Sequence, residues 1–240
     1  MNIEGCVALV TGANRGLGKA YVEALLDAGC AKVYAGMRTG GTEPGERLVP
    51  IPLDVTSSQS VAAAAARCRD VNLVINNAGV MSRTPVLSKD VEVALQREMD
   101  VNVLGLIRMA NAFAPVLASQ GGGALVNMLS IVSWFTSAFN ATYCASKHAA
   151  FAVTESMRME LRAQGTLVVS VHAGFIDTDM VAHIALPKVS PRQVAEQTLQ
   201  GLRDRVEVVL ADDRSQQVWN TTFNDPASIA RTQQQIWDQG

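Results

Sequence analysis

A serine, a tyrosine and a lysine follow one another in the middle of the chain in an order that suits proton transfer. Ser130 ends an apolar run, residues 124–129; Tyr143 comes thirteen residues later and Lys147 four beyond that. If Tyr143 opens a helix, residues four apart share one face, so an ammonium would lie beside a phenol. We expect that charge to lower the pKa of Tyr143 below its ordinary value of about 10. Ser130 would hydrogen-bond the same oxygen while a proton is given or taken.

The Tyr-x-x-x-Lys pair is a modest signal when it is taken alone. A tyrosine packed on the stem of an exposed lysine gives the same spacing without any chemistry. The catalytic interpretation therefore depends on whether the rest of the chain builds a binding site around Tyr143 and Lys147.

Length and composition favour one α/β domain over residues 1–240, because 240 residues that are 48% hydrophobic can bury a sizeable core. A net charge of −2 gives no electrostatic reason to expect nucleic acid or an anionic membrane as a partner. Arg108 interrupts the most apolar run, residues 101–117, so we expect no membrane span. The first residues lack a basic region, which predicts no signal peptide.

The four cysteines, Cys6, Cys30, Cys68 and Cys144, show neither a metal-type spacing nor a CxxC pair. We expect them to be reduced and mostly buried in a cytoplasmic protein, and we expect no metal site.

A glycine-rich turn follows the first apolar run, residues 6–10. Gly12, Gly16 and Gly18 lie in this turn, an amphipathic helix follows, and residues 32–35 form the next apolar run. This order predicts a strand–turn–helix–strand unit whose helix presents free N–H groups to a pyrophosphate. A purely structural turn is the alternative, since glycine-rich turns also occur without a ligand.

The spacing G-x-x-x-G-x-G after Thr11 resembles that of the short-chain dehydrogenase/reductase family. The resemblance covers residues 5–180 well and includes the Asn-Asn-Ala-Gly motif at residues 76–79 and the spacing of Ser130, Tyr143 and Lys147. It implies that the motif braces the sheet and lines the adenosine ribose. It also implies that Lys147 binds the nicotinamide ribose and that Tyr143 is the catalytic acid or base.

Two arginines bear on the choice of cofactor. The second strand ends at Arg38 without the acid that would bind a ribose 2′-hydroxyl, and Arg15 lies within the glycine turn. A pair of guanidiniums suits a 2′-phosphate, so the sequence favours NADP(H) over NAD(H), as the family resemblance also implies. Two solvated surface arginines are the alternative.

Two polar residues outside the Ser–Tyr–Lys set have implied roles. The resemblance implies that Asp54 accepts from the adenine amino group, although Asp54 could equally cap a helix beginning near Ser57. Asn102 lies inside an apolar helix and must therefore hydrogen-bond something. The resemblance implies that it holds a kink and orders a proton path, whereas an ordinary helix asparagine is the alternative.

The turn after the sixth strand carries the remaining implied cofactor contacts. It contains Ala173 where the family has proline, then Gly174, Ile176 and Thr178. Loss of the proline is expected to loosen this turn. Residues 178–190 are expected to cover the substrate, and the tail, residues 211–240, receives no role beyond packing at the sheet edge or against a partner subunit.

Strands and helices alternate along the chain, which predicts a Rossmann-type, doubly wound parallel sheet of about seven strands with helices on both faces. The ligand is expected at the carboxyl ends of the strands, where the motifs fall. The predicted catalytic residues are Ser130, Tyr143, Lys147 and Asn102. The predicted cofactor-binding residues are Gly12, Asn14, Arg15, Gly16, Leu17, Gly18, Arg38, Asp54, Val55, Asn77, Ala78, Gly79, Tyr143, Lys147, Ala173, Gly174, Ile176 and Thr178.

These features predict an NADP(H)-dependent oxidoreductase that passes a hydride between the nicotinamide and a carbonyl or secondary alcohol substrate. Two alternatives share the fold: a sugar-nucleotide epimerase-like enzyme, which needs a further substrate domain, and a non-enzymatic NADP(H)-sensing regulator. The apolar helices at residues 101–117 and 149–161 suggest a homodimer or homotetramer, because the family pairs these helices between subunits.

Overall fold

A seven-stranded parallel sheet forms the centre of the protein. The computed structural model describes residues 1–39 and 43–239. The strand order is β3-β2-β1-β4-β5-β6-β7, so the chain crosses over between β3 and β4. The strands are β1 (Val7–Thr11), β2 (Lys32–Met37), β3 (Leu48–Pro52), β4 (Leu73–Asn76), β5 (Ala124–Met128), β6 (Leu167–His172) and β7 (Val208–Leu210).

Eight α-helices connect and flank the strands. They are α1 (Gly16–Asp27), α2 (Ser58–Arg67), α3 (Val91–Met99), α4 (Gly105–Ser119), α5 (Ala141–Glu160), α6 (Pro191–Asp204), α7 (Asp213–Asn224) and α8 (Pro226–Asp238), counted over the described residues. Every strand pair is parallel. The predicted fold class, a Rossmann-type doubly wound sheet, is confirmed.

Each face of the sheet has its own apolar core. Helices α1 and α6 cover one face, where Tyr21, Leu25 and Leu199 are buried. Helices α2, α4 and α5 cover the other, where Phe113 and Ala150 are buried. Central strands such as β5 are buried at every residue, which is why they read as continuous apolar runs in the sequence.

A π-helical turn, Asp100–Leu104, joins α3 to α4 without ending the helix. This irregular turn begins nine residues after the start of α3 at Val91. The continuous helix Val91–Ser119 is long and apolar enough to cross a membrane on length and composition alone, contrary to the expectation based on Arg108. That is weak support for a membrane span, because core helices share this composition and Met109, Phe113 and Leu117 are buried in the core.

The tail forms two helices that the sequence analysis did not predict. Asp212 caps α7 through the Ser215 N–H, and Asp225 caps α8 through the Ser228 N–H. Helix α8 is mostly exposed, and its Trp237 ring lies 4.9 Å from the ring of Phe139, between Ser130 and Tyr143 in the chain.

The expectation of four reduced cysteines is wrong for two of them. Cys6 and Cys30 form a disulfide with their Cα atoms 4.8 Å apart, and Cys68 and Cys144 are free and buried. Each bonded cysteine lies just before one of the paired strands β1 and β2. Strand pairing brings them together, which their separation in sequence does not reveal.

Candidate active site

Ser130 and Tyr143 meet at the carboxyl end of β5. Ser130 caps a short three-ten turn, Ile131–Ser133, and accepts from the Val132 N–H. Helix α5 begins at Ala141, so Tyr143 lies in its first turn, as predicted. A hydrogen bond from Ser130 lowers the pKa of Tyr143, against the raising effect of burial.

Lys147 lies one turn further along α5 and is buried. Its Nζ donates to the carbonyl oxygen of Met128 at 2.8 Å, its only acceptor among the described residues, and lies 5.7 Å from the centroid of the Tyr143 ring. An ammonium carries three N–H groups, so two are available to a ligand. Burial lowers the pKa of Lys147 to about 8.

The expected direction of the Tyr143 pKa is wrong for this structure. Burial raises it above its ordinary value, the charges of Cys144 and Glu98 raise it further, and only the Ser130 hydrogen bond lowers it. The pKa of Tyr143 is raised although the Lys147 ammonium lies 5.7 Å from the centroid of its ring. Loss of water around a phenol disfavours its charged form.

Asn102 connects three parts of the site from within the π-helical turn. Its Oδ1 accepts from the Val80 N–H, and its Nδ2 donates to the Val80 carbonyl, both at 2.9 Å. Nδ2 also donates to the Ser146 hydroxyl at 3.0 Å. The side chain is buried and fully engaged, so the expectation that it must hydrogen-bond internally is confirmed.

Ser130, two residues after β5, is also held by a residue of β6. His172 Nδ1 lies 3.0 Å from the Ser130 carbonyl; since a carbonyl only accepts, Nδ1 carries the proton. Burial lowers the pKa of His172 to about 4. The indole of Trp134 stacks on this imidazole, with centroids 4.0 Å apart. His172 thus has a structural role in the protein.

The glycine turn has the geometry of a pyrophosphate cradle. Gly12 and Gly16 have φ of +65° and +52°, a backbone conformation that suits glycine. A Cβ on Gly18 would collide with the Gly12 carbonyl oxygen. Arg15 precedes α1 with no side-chain cap among the described residues, so the N–H groups of residues 16–18 remain available. These donors fit a dinucleotide cofactor.

The Asn-Asn-Ala-Gly motif supports this turn from β4. Asn77 Nδ2 donates to the Thr11 carbonyl at 3.0 Å, and the Thr11 hydroxyl accepts from the N–H groups of Asn77 and Ala78. Asn76 Nδ2 donates to Asn127 Oδ1 on β5. Gly79 lies against Asn102, since a Cβ there would be 3.4 Å from Asn102 Oδ1.

Asp54 and Val55 lie beyond β3. The interpretation of Asp54 as a helix cap is wrong, because Ser57 caps α2 through the Ser60 N–H. Asp54 instead accepts from the N–H and hydroxyl of Thr56, and these bonds lower the pKa of its carboxyl. The charge of Arg38 acts in the same direction.

The two arginines have different surroundings. The Arg15 guanidinium forms an exposed ion pair with Asp179 at 2.7 Å. Arg38 is exposed after β2 and makes no ion pair within residues 1–39 and 43–239. Asn14 is exposed beside Arg15, and Leu17 is buried beneath the turn.

The turn after β6 faces the glycine turn. A Cβ on Gly16 would lie 3.1 Å from Thr178 Cγ2. Ile176 pairs with Val189, which closes residues 177–188 into a short loop. Ala173 is buried, and the Gly174 N–H donates to the Asp212 carboxylate at 2.8 Å.

Sequence reasoning missed several residues that hold the site. The Ser146 hydroxyl accepts a hydrogen bond from Asn102. Glu98 accepts from the Ser82 N–H, and Asp212 accepts from the Gly174 N–H. Ser146 directly precedes Lys147, and Asp212 begins an Asp-x-x-Ser capping sequence, so both carried a weak signal. Glu98, a buried glutamate within α3, carried no such signal in the sequence.

Comparison with known proteins decides the family. The model of the short chain dehydrogenase family matches residues 6–188. The chain belongs to this family. Its members are oxidoreductases, and the match covers the glycine turn, Ser130, Tyr143, Lys147 and Thr178.

Individual relatives agree with this assignment. The chain is 32% identical over 189 residues to the 3-oxoacyl-[acyl-carrier-protein] reductase of Vibrio cholerae, covering 75% of this chain and 77% of that protein. A short-chain dehydrogenase of Burkholderia cenocepacia, solved with NADP, is 40% identical with a TM-score of 0.94, covering 97% of this chain and 99% of that one. A Burkholderia phymatum short-chain dehydrogenase/reductase, solved with NAD, shares the fold at 21% identity and a TM-score of 0.80, covering 97% and 96%.

Proposed function

We propose that this short-chain dehydrogenase is an NADP(H)-dependent oxidoreductase that interconverts a carbonyl compound and a secondary alcohol. The arrangement of Ser130, Tyr143 and Lys147 carries the proposal. It combines a buried phenol, a neighbouring hydroxyl and a buried ammonium that keeps two N–H groups for a ligand. These groups lie at the edge of the sheet where Rossmann-type folds bind dinucleotides.

In carbonyl reduction, Tyr143 is the general acid that gives its proton to the substrate oxygen. Ser130 donates a hydrogen bond to the same oxygen as negative charge develops there. The nicotinamide supplies the hydride. Lys147 holds the ribose hydroxyls with the N–H groups that Met128 does not use. In alcohol oxidation, the Tyr143 phenolate takes the proton back.

Asn102 and the cofactor-binding residues position this chemistry. Asn102 orders the proton path through its link to Ser146. Gly12, Asn14, Gly16, Leu17 and Gly18 take the pyrophosphate, Asp54 and Val55 the adenine, and Asn77, Ala78 and Gly79 the adenosine ribose. The backbone of residues 173–176 and the Thr178 hydroxyl take the nicotinamide end.

NADP(H) is proposed over NAD(H) because Arg38 stands where an NAD site places an acid. The relative that is 40% identical was solved with NADP, which supports this choice. Arg15 would also bind the 2′-phosphate after its guanidinium leaves the ion pair with Asp179.

The proposed substrate is a small, uncharged and largely apolar carbonyl compound. An open groove of about 500 Å³ lies between residues 134–138 and the tail helices, next to the segment between Ser130 and Tyr143 but not lined by either residue. Its walls are aromatic, aliphatic, hydroxyl and amide groups without charge, which disfavours ionised substrates. The lining residues are Trp134, Phe135, Thr136, Ala138, Thr222, Pro226, Ile229, Ala230, Gln233, Gln234 and Trp237.

We further propose a homodimer or homotetramer that works in the cytoplasm. Met159 on α5, Val93 on α3 and Leu104 are large apolar side chains that are exposed on neighbouring helices. Self-association would cover this surface. Light scattering after size-exclusion chromatography tests the assembly, and a monomer at micromolar concentration would contradict it.

Fluorescence titration of the purified protein with NADPH and NADH tests the proposed cofactor. We expect wild type to prefer NADPH and Arg38→Ala to lose about tenfold in NADPH affinity with little change for NADH. Arg67→Ala is the control, because it removes an exposed charge on α2. Preference for NADH would refute the cofactor choice, and binding of neither would refute the enzyme.

A further inference from the structure

The first turn of α7 lies directly against the turn after β6. One carboxylate oxygen of Asp212 accepts from the Gly174 N–H at 2.8 Å, and the other accepts from the Ser215 N–H at 2.6 Å. A Cβ on Gly174 would lie 2.8 Å from Arg214 Cδ. The Arg214 guanidinium lies 4.6 Å from the centroid of the Phe175 ring. Gly174 is therefore needed for contact with α7.

The same helix reaches Ser130 through a stack of rings. Trp219 packs edge-on against Trp134, with centroids 4.9 Å apart. Trp134 stacks on His172 at 4.0 Å and an interplanar angle of 23°. His172 in turn donates to the Ser130 carbonyl. A side chain of the tail thus connects to the proposed catalytic serine through two intermediates.

We propose that α7 is a brace for the active site, with Asp212 and Trp219 as its positioning residues. Asp212 fixes the turn at Gly174, and Trp219 fixes Ser130 through Trp134 and His172. The catalytic part of this inference rests on the proposed function, whereas the structural part does not.

The brace compensates for a residue that the turn lacks. Ala173 has no ring that would fix its φ as a proline does. A hydrogen bond from a backbone N–H to a carboxylate is stronger than one between neutral groups. Asp212 therefore restricts the turn that loss of proline was expected to loosen.

The ring stack holds Ser130 in the same way throughout the pH range near neutrality. Since burial lowers the pKa of His172 to about 4, the imidazole stays neutral and keeps its Nδ1–H on the Ser130 carbonyl near neutral pH. Trp134 and Trp219 fix the plane of the ring. Removal of the Trp219 indole would leave Trp134 free to tilt.

Hydrogen exchange of the protein without cofactor tests the brace independently of catalysis. Asp212→Ala should accelerate exchange of the Gly174 amide on the order of tenfold, because that amide loses a charged acceptor, and Asp212→Asn should restore much of the protection. Trp219→Ala should accelerate exchange at the Ile131 amide, which bonds the Ala173 carbonyl, by about threefold to tenfold. Trp219→Phe should largely restore it.

Gln216→Ala on the exposed side of α7 is the matched control and should leave both amides unchanged. Wild-type exchange rates at both amides in Asp212→Ala and Trp219→Ala would overturn the brace. Acceleration spread evenly over β1 to β7 would also overturn it, since that would show general destabilisation.

Measurements of turnover and of NADPH binding then test whether Asp212 and Trp219 position the active site. Trp219→Ala should lower kcat about tenfold while the Kd for NADPH stays at the wild-type value, and Trp219→Phe should recover kcat. Asp212→Ala should weaken NADPH binding by a similar factor. An active wild type with unaffected variants would refute positioning. An inactive wild type would refute the proposed function and leave hydrogen exchange to decide the brace.

Discussion

The side chain of Asn102 donates a hydrogen bond to the Ser146 hydroxyl at 3.0 Å. Ser146 directly precedes Lys147 in the chain. Asn102 can reach both Ser146 and the main chain of Val80 because it lies in a π-helical turn, where the extra residue turns the side chain towards the site. The irregular turn between α3 and α4 therefore fixes α5 relative to the loop after β4.

Replacement of Asn102 should cost stability as well as activity. Asn102→Ala leaves the half-buried N–H and carbonyl of Val80 without their partners, so we expect the free energy of unfolding to fall by about 1–3 kcal/mol. Urea denaturation measures this loss. Asn111→Ala, at an exposed position of α4, should change stability by less than about 0.5 kcal/mol. Equal effects at the two positions would contradict the network.

Removal of the Tyr143 hydroxyl should separate chemistry from binding. Tyr143→Phe keeps the ring but not the acid, so turnover should fall by roughly 10²–10⁴-fold, while NADPH affinity stays within about twofold. Tyr34→Phe loses a hydroxyl that bonds Lys32 and Asp70 and none of the proposed catalytic residues, and should keep wild-type turnover. A biological activity that survives in Tyr143→Phe would favour the sensor hypothesis instead.

The pKa of Lys147, lowered to about 8 by burial, sets a pH dependence for cofactor binding. Below pH 8 the ammonium is already charged, so affinity should change little with pH. Above pH 8 a proton must be taken up to restore the charge, so the Kd for NADPH should rise by up to about tenfold per pH unit. Lys147→Met should bind more weakly and lose this slope; a slope that persists would assign the titration to another group.

The backbone of the site could be predicted from the sequence because its signals are local. Gly12, Gly16 and Gly18 follow a buried strand and open a helix, and Tyr143 and Lys147 share one helical face. Continuous apolar runs identified the strands, since both faces of the sheet are covered. Each of these signals lies within about twenty residues of chain.

What could not be predicted depends on contacts between distant segments. Asp212 meets Gly174 across 38 residues, and Cys6 meets Cys30 only once two strands pair. The tail helices are polar and mostly exposed, so their apolar pattern is weak. The pKa of Tyr143 is raised mainly by burial in the folded chain, which the spacing to Lys147 does not reveal.

Gly18 should tolerate no side chain. A Cβ would collide with the Gly12 carbonyl and lie 2.7 Å from Asn77 Nδ2. Gly18→Ala should therefore open the turn, lower the free energy of unfolding by about 1–3 kcal/mol and abolish dinucleotide binding in a titration. Gly45→Ala is the control, since a Cβ there meets only Leu48 Cβ at 3.6 Å. Retained binding in Gly18→Ala would contradict the cradle.

Asp179 should oppose the binding of a phosphorylated cofactor. Its carboxylate holds the Arg15 guanidinium at 2.7 Å, and an anionic ligand must displace it to use the same guanidinium. Because both side chains are exposed, the ion pair adds little stability, and Asp179→Asn should leave the melting temperature unchanged. The same change should tighten NADPH binding about threefold at low salt, with a smaller effect on NADH and a loss of the gain at high salt.

Asp177→Asn is the matched control for Asp179→Asn. Asp177 is also exposed and lies two residues earlier, but it faces Lys188 at 3.5 Å. Removal of either carboxylate changes the net charge by one unit, so an effect that depends on charge alone would appear in both variants. A gain confined to Asp179→Asn and to NADPH would place Arg15 at the 2′-phosphate. Equal gains for NADPH and NADH would place it at the pyrophosphate, which the two cofactors share.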